Sequence, residues 1–213
     1  MENVELVEVN YKKKPIYSFI KRIIDFIGAL LGIILLSWLF IIIAILVKCT
    51  SKGPALYISE RIGKNGKPFK FYKFRSMRVG ADAEIEQLMA QSEREGTFKM
   101  KNDPRVTKFG KFLRKTSLDE IPQLFNILNG TMSIVGPRPM VRREYEQMDE
   151  YQKQRLLVKQ GLTCIWQCSG RANTSFKEQI LMDLKYVNKR GFWYDIWLVL
   201  KTIPAVLFSK GAE

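Results

Sequence analysis

The chain has 213 residues and no histidine. That absence removes imidazole as general base, nucleophile activator and metal ligand, and leaves acid–base or nucleophilic work to carboxylates. Cysteine is scarce: Cys49, Cys164 and Cys168 form an odd set of three. With no histidine to complete a zinc set, Cys164 and Cys168 are expected to be reduced packing thiols in a cytosol-facing domain. Acidic residues are short too, 21 against 35 Lys plus Arg, giving a net charge of +14. This balance favours a polyanionic partner: nucleic acid, an anionic membrane face or phosphorylated small molecules. No recognisable nucleic-acid-binding motif accompanies the charge, so no nucleic-acid partner is expected. There is no internal repeat and no low-complexity tract.

Charge is also almost missing from Ile23 to Val47, a run of 25 residues in which Asp25 is the one ionisable group. A helix of that length is about 37 Å long, enough for a hydrocarbon core of about 30 Å. A soluble core helix is rarely apolar on every face. The run is too long for a cleaved signal, and Lys48-Cys-Thr-Ser-Lys-Gly53 offers no small-residue cleavage site. Membrane association follows. Orientation does not, because Lys12, Lys13, Lys14, Lys21 and Arg22 precede the run while Lys48, Lys52, Arg61, Lys64 and Lys67 follow it. Basic residues prefer the cytoplasmic side, and both flanks claim it. Two arrangements fit: a single span with the N-terminus outside, or a segment that enters the membrane, bends near Ser37-Trp38 and returns.

Three segments emerge: a basic N-terminus (1–22), a membrane helix (23–47) and a catalytic part (48–213), together one domain. Leu56–Ser59 and Phe69–Phe74 read as strands around the turn-rich Gly63-Lys-Asn-Gly66. Ala81–Gln91 has the helical period, and Arg94–Asp103 is a polar loop. Leu118–Leu128 reads as a short helix, Met132–Pro139 as strand and turn, Glu144–Lys159 as a polar helix and Ser175–Asn188 as an amphipathic helix. Phe192–Phe208 is aromatic but carries Asp195 and Lys201. It suits an interfacial helix, with a core helix as the alternative. Short mixed elements make the fold class α+β.

Asp119 and Glu120 are adjacent, with Arg105, Arg114, Arg138 and Arg171 along the chain around them. Carboxylates among guanidinium groups suit an anionic phosphate substrate, since Arg grips phosphate oxygens as a fork. Ser117-x-x-Glu120 equally fits a capping box at a helix start. Both readings can hold together, because a helix N-terminus adds positive potential for phosphate.

Several separated motifs point one way. They are Lys52-Gly-Pro54, Arg61-Ile-Gly63, Tyr72-Lys-Phe-Arg-Ser-Met77, Asp103-Pro-Arg105 and the stretch from Leu113 to Asn126 containing Leu118-Asp-Glu-Ile-Pro-Gln123. Met132-Ser-Ile-Val-Gly-Pro-Arg-Pro139, Gly161-Leu-Thr163, Trp166-Gln167 and Ser169-Gly-Arg171 complete the set. From Lys21 to Gly211 the chain closely resembles the bacterial monotopic phosphoglycosyl transferases, in their small form without further N-terminal membrane helices.

The resemblance implies transfer of a sugar phosphate from a UDP-sugar to polyprenyl phosphate with release of UMP, at the cytoplasmic face of the inner membrane. It implies Asp119 as nucleophile, Glu120 as its partner, Mg²⁺ held by Asp119 and Glu120, and Arg75, Arg114, Arg138, Arg171 and Asp183 near the substrates. Lys73 and Arg75 would face lipid phosphate. It further implies a re-entrant membrane helix and downstream glycosyltransferases as partners. The chain departs from the family pattern at Trp38 and Gln160, where proline is usual, and at Cys164, where glycine is usual. The competing class is a non-catalytic basic membrane scaffold, which explains the charge and the anchor but not the Asp119-Glu120 pair.

Overall fold

The computed structural model describes residues 6–93, 97–98, 100, 102–169 and 174–208, with side chains to 205. The fold is mixed α and β with a dominant N-terminal helix, α1 (Pro15–Thr50). Pro15 sits in its first turn, where a missing N–H costs nothing. The helix is uninterrupted through Ser37 and Trp38, so the expected bend is not a break in the helix. Ser37 Oγ donates to the Ile34 carbonyl at 2.9 Å. Trp38 is exposed and packs on no second arm.

The buried positions of α1 are Asp25, Ala29, Ile43 and Val47, and half-buried Gly28, Gly32, Leu36, Leu39 and Phe40 join them into one stripe. The spacing alternates between three and four residues, which keeps one face turned to the protein along the whole run. Opposite it, Ile27, Leu31, Ile34, Leu35, Ile41 and Ile45 are exposed. Among the described residues α1 is the one helix long and apolar enough to cross a membrane.

Strands β1 (Leu56–Ile62) and β2 (Pro68–Phe74) form an antiparallel hairpin, with Tyr57 opposite Lys73 and Arg61 opposite Phe69. Its turn places Asn65 at φ 57° and Gly66 at φ 75°, left-handed conformations that these residue types tolerate. The helical period of Ala81–Gln91 becomes α2 (Ile85–Leu88) flanked by two 3₁₀ turns. Then follow α3 (Lys108–Lys115), a 3₁₀ turn at Leu118–Glu120, and α4 (Gln123–Leu128). Pro122 stands where the single helix expected from Leu118 to Leu128 divides.

Strand β3 (Ser133–Val135) pairs in parallel with β4 (Gly161–Thr163). A Cβ on Gly161 would lie 2.1 Å from the Gly136 nitrogen, so this close approach requires glycine. Between the strands, the polar helix expected over Glu144–Lys159 is three pieces: α5 (Arg142–Glu146), α6 (Glu150–Lys153) and a 3₁₀ turn at Gln154–Leu157. Asp149 caps α6, which explains the restart.

After β4 come α7 (Ile165–Ser169), α8 (Phe176–Lys189) and α9 (Phe192–Phe208). Ser175 and Glu178 form the capping box of α8. Along α9, Leu198 is fully buried while Trp193, Leu200 and Ile203 are exposed, so this helix is core on one side and bare and apolar on the other. Cys49, Cys164 and Cys168 are free thiols. Half of the expected loop at 94–103 falls outside the described residues.

Candidate active site

Asp119 and Glu120 lie on the 3₁₀ turn that follows α3. The turn is entered through Ser117 at φ 56°, an uncommon conformation for a residue with a Cβ. Ser117 makes no side-chain capping bond, so the expected capping box is absent. Its left-handed backbone instead separates α3 from the turn that carries both carboxylates.

The hairpin supplies the opposing wall. Alternation along β1 turns Tyr57, Ser59 and Arg61 to one side, and Lys73 joins them from β2. Lys73 Nζ lies 5.3 Å from the Tyr57 ring centre, and Arg61 lies over Phe71 at 5.2 Å. From α3, Arg114 Nε donates to Ser76 Oγ at 3.0 Å. A Cβ on Gly110 would meet the Ser76 carbonyl oxygen at 1.9 Å, so only glycine lets α3 approach closely enough to make that bond. From the loop after β3, Arg138 is ion-paired with Glu120.

Asp119 is therefore buried beside one like charge and within a group of cations. Burial first, and the Glu120 charge second, push its carboxyl up to about 6, against the opposing pull of Lys73, Arg114 and Arg138. Burial brings Lys73 down to about 8, with Arg114, Arg61 and Arg138 acting the same way and Asp119 opposing. The Arg138 guanidinium is held above its usual range: burial alone would lower it, but the Glu120 charge and hydrogen bond outweigh that. Arg61 and Arg114 are both lowered, chiefly by burial.

Two adjacent hard-oxygen carboxylates, one of them destabilised by its neighbour's charge, form a donor pair that fits a Mg²⁺ ion shared with phosphate oxygens. Such an ion commonly binds through one or two carboxylates plus substrate. Four surrounding cations fit a diphosphate better than they fit a bare metal cage.

The other residues expected at the site divide. Asp183, on α8, accepts from buried Arg155 at 2.5 Å and 2.9 Å, and Arg155 Nη2 donates to the Arg138 carbonyl at 2.7 Å. Asp183 thus acts through Arg155 on the backbone of Arg138. Burial raises its carboxyl to about 6 even with Arg155 opposing.

Arg75 is a correction. Its guanidinium donates to the Ser51 carbonyl and hydroxyl, both at 2.8 Å, and so closes the C-terminal end of α1 rather than facing substrate. Strand β2 ends at Phe74, and the Arg75 N–H still bonds the Ala55 carbonyl at 2.9 Å, which brings its side chain to Ser51. Arg105 likewise folds back on Asp103, with bonds of 2.7 Å and 2.9 Å. Arg171 lies outside the described residues. Sequence reasoning missed Arg61 as a site cation and assigned Lys73 to lipid phosphate, although its charge bears on Asp119. The period-two pattern of the hairpin, with Arg61-Ile-Gly63 and Tyr72-Lys-Phe-Arg-Ser-Met77 on its arms, carried the signal for both.

The sequence model of the bacterial sugar transferase family matches residues 16–209. The chain is 44% identical over 195 residues to the galactosyl transferase CpsE of Streptococcus agalactiae, covering 91% of this chain and 43% of that protein. Its identity to the exopolysaccharide production protein ExoY of Rhizobium meliloti is 43% over 204 residues, 93% of this chain and 90% of ExoY. Against the undecaprenyl-phosphate galactose phosphotransferase of Salmonella typhimurium it is 42% over 199 residues, 91% of this chain and 42% of the relative. The chain spans less than half of the first and third relatives and most of the second.

Proposed function

This chain belongs to the bacterial sugar transferase family, and on that premise we propose that it is a phosphoglycosyltransferase moving a sugar 1-phosphate from a UDP-sugar to undecaprenyl phosphate. The relatives' names supply the lipid carrier and the sugar phosphate. The observation that carries the reading is Asp119: a buried carboxylate beside Glu120, within the charge of Lys73, Arg114 and Arg138, with Arg61 acting on Glu120.

In this reading an Asp119 carboxylate oxygen attacks the β-phosphorus of the UDP-sugar. The phosphoanhydride bond to the α-phosphate breaks and UMP leaves with its electron pair. The phosphate oxygen of the lipid then attacks the same phosphorus, the acyl-phosphate bond breaks, and Asp119 is a carboxylate again. No base has to activate the nucleophile, because a carboxylate with a pKa near 6 is largely ionised at neutral pH. Lys73, Arg61, Arg114 and Arg138 offset the repulsion between that carboxylate and the diphosphate, and Arg138 also fixes Glu120. Mg²⁺, held by Asp119 and Glu120, would supply further charge neutralisation for the phosphate oxygens.

The setting is the cytoplasmic face of the inner membrane. There α1 inserts without crossing, α9 lies at headgroup level, and the lipid-linked product passes to downstream glycosyltransferases. A panel of UDP-sugars incubated with undecaprenyl phosphate and Mg²⁺, scored by UMP release, tests the activity. One sugar nucleotide should give lipid product, and Asp119→Asn should abolish both UMP release and lipid product. Label from β-³²P UDP-sugar should appear on wild-type protein in the absence of acceptor. Retained turnover in Asp119→Asn would overturn the nucleophile. Undiminished activity after EDTA treatment would remove the metal.

A further inference from the structure

A second basic site lies at the other end of β3. The loop carrying Arg138 follows the C-terminal end of that strand. At the N-terminal end is a cavity of about 270 Å³ whose lining includes Tyr17, Lys21, Arg22, Lys64, Lys159 and Arg190. Ser133 borders the cavity and is five residues before Arg138, roughly 15 Å along an extended chain.

The charges in this cavity do not cancel. Lys21 is neutralised by Asp195, at 2.6 Å, and Tyr17 and Tyr186 also donate to Asp195 at 2.7 Å and 2.9 Å. Asp25, the one carboxylate of the lining, accepts from the Ile134 N–H at 2.9 Å. Arg22 is committed to the Ile127 and Leu128 carbonyls at 2.7 Å and 2.8 Å, bonds that hold it in place without removing its charge. Lys64 and Lys159 have no carboxylate partner among the described residues. Burial, followed by the charge of Arg22 and then those of Lys64 and Lys21, lowers the Lys159 ammonium, with Asp25 opposing. A concave site that gathers like charges against their own repulsion is built to receive an anion.

The surroundings specify how that anion arrives. Phe19, Ile20, Ile23 and Ile24 are exposed on α1, which lines the cavity, and Phe192, Trp193 and Trp197 on α9, which is joined to that stretch by the Lys21–Asp195 pair. Apolar side chains at this height, with aromatic residues and cations behind them, match the headgroup layer of a bilayer. We propose that this cavity is a binding site for the phosphate of an anionic phospholipid headgroup, with Lys64 and Lys159 as its two free cations and Arg22 and Arg190, both bonded to backbone carbonyls, as the fixed ones. It rests on α1 being inserted in the membrane and does not depend on the chemistry assigned to Asp119. Tyr17 and Tyr186 carry hydroxyls already bound to Asp195, so they frame the site and leave phosphate recognition to the cations. An occupied site would tie α1, the turn between β1 and β2, and the segment before β4 to the same lipid.

Full-length protein in a neutral detergent can be titrated with short-chain phosphatidylglycerol, phosphatidylcholine or inorganic phosphate, followed by thermal unfolding and native mass spectrometry. Phosphatidylglycerol should raise the unfolding temperature and leave one retained lipid. Phosphatidylcholine and inorganic phosphate at equal concentration should do neither. Lys64→Gln/Lys159→Gln should bind phosphatidylglycerol about twenty-five-fold more weakly, at roughly a factor of five per cation removed. Asp119→Asn should bind it like the wild type, which separates a failed lipid site from a failed reaction. The double variant should keep the wild-type KM for polyprenyl phosphate. Wild-type lipid affinity in the double variant would overturn the proposal, as would equal binding of phosphatidylcholine or of inorganic phosphate. A raised KM for polyprenyl phosphate would overturn it too, by making the cavity an acceptor subsite. Should the double variant unfold, Lys159→Gln alone carries the test with the same expected direction.

Discussion

Asp119 and Lys73 titrate toward each other, and their roles follow from that. In the proposed mechanism Asp119 must be ionised to attack, so kcat/KM should fall as the pH drops through about 6. Lys73 must be protonated to oppose phosphate charge, so kcat/KM should fall again as the pH rises through about 8. The profile should be a bell whose limbs belong to the coupled group of charges rather than to two isolated residues. Lys73→Arg keeps the cation and should remove the alkaline limb. Lys73→Met deletes a cation that lowers the Asp119 carboxyl, and should move the acid limb upward while reducing kcat/KM on the order of a hundredfold. A pH series on the three proteins decides this, and an unmoved alkaline limb in Lys73→Arg would assign it elsewhere. Ser117 belongs to the same scale. Its left-handed conformation costs a residue with a Cβ about 1 kcal/mol or more. Ser117→Gly should therefore change stability by less than about 1 kcal/mol, whereas β-branched Ser117→Val should cost about 2 kcal/mol and lower kcat. Unfolding temperature and turnover, measured together, check both variants.

Among the elements, α8 acts on the site without reaching it. Asp183→Asn leaves Arg155 charged and buried without its partner, and should cost about 3–5 kcal/mol. Replacing both, as Asp183→Leu/Arg155→Met, should recover much of that stability while kcat stays low, because the Arg138 carbonyl has lost its donor. Recovery of stability and kcat together would leave the pair a purely structural role. This chain of contacts also marks how much the sequence could convey. Asp119-Glu120 and Arg138 stood out because paired carboxylates and a proline-bracketed arginine are local patterns. The hairpin, α8 and α9 were legible because strand alternation, the Ser175–Glu178 capping box and the aromatic run are local as well. Arg75 carried the same motif credentials as Lys73 yet binds the end of α1. What separates the two is the contact of Arg75 with Ser51 at the end of α1, a tertiary contact that the motif does not encode. The division of Glu144–Lys159 into short pieces was likewise hidden, because the Asp149 cap competes with a continuous polar helix pattern.

For the molecule as a whole, the placement of α1 decides how the site would meet the proposed lipid acceptor. Arg22 and Asp25, near the start of the apolar run, are bonded to Ile127, Leu128 and Ile134 of the catalytic part. At the far end, Arg75 is bonded to Ser51, and Val47 is buried with Phe74 and Leu113. The run between these anchors is roughly 37 Å long, more than the hydrocarbon thickness of about 30 Å. In a perpendicular span with the catalytic part on one side, contacts at both ends would drag charged elements such as α3 through the bilayer, at a cost of several kcal/mol per charge. Lying against the catalytic part with its outer apolar face in lipid, α1 avoids that cost and keeps both flanking sets of basic residues on one side. Trp38 on the outer face then sits at a depth an aromatic residue prefers, rather than at the midplane. The expectation is that both ends of α1 share the cytoplasmic side. Cys49, exposed at the C-terminal end of the helix, is one reporter, and Asn10→Cys supplies the other, since Asn10 is exposed and uses only its backbone to bind Asn188. In intact cells a membrane-impermeant maleimide should label neither cysteine, and after lysis it should label both. Labelling of position 10 but not of Cys49 before lysis would mean that α1 crosses the membrane.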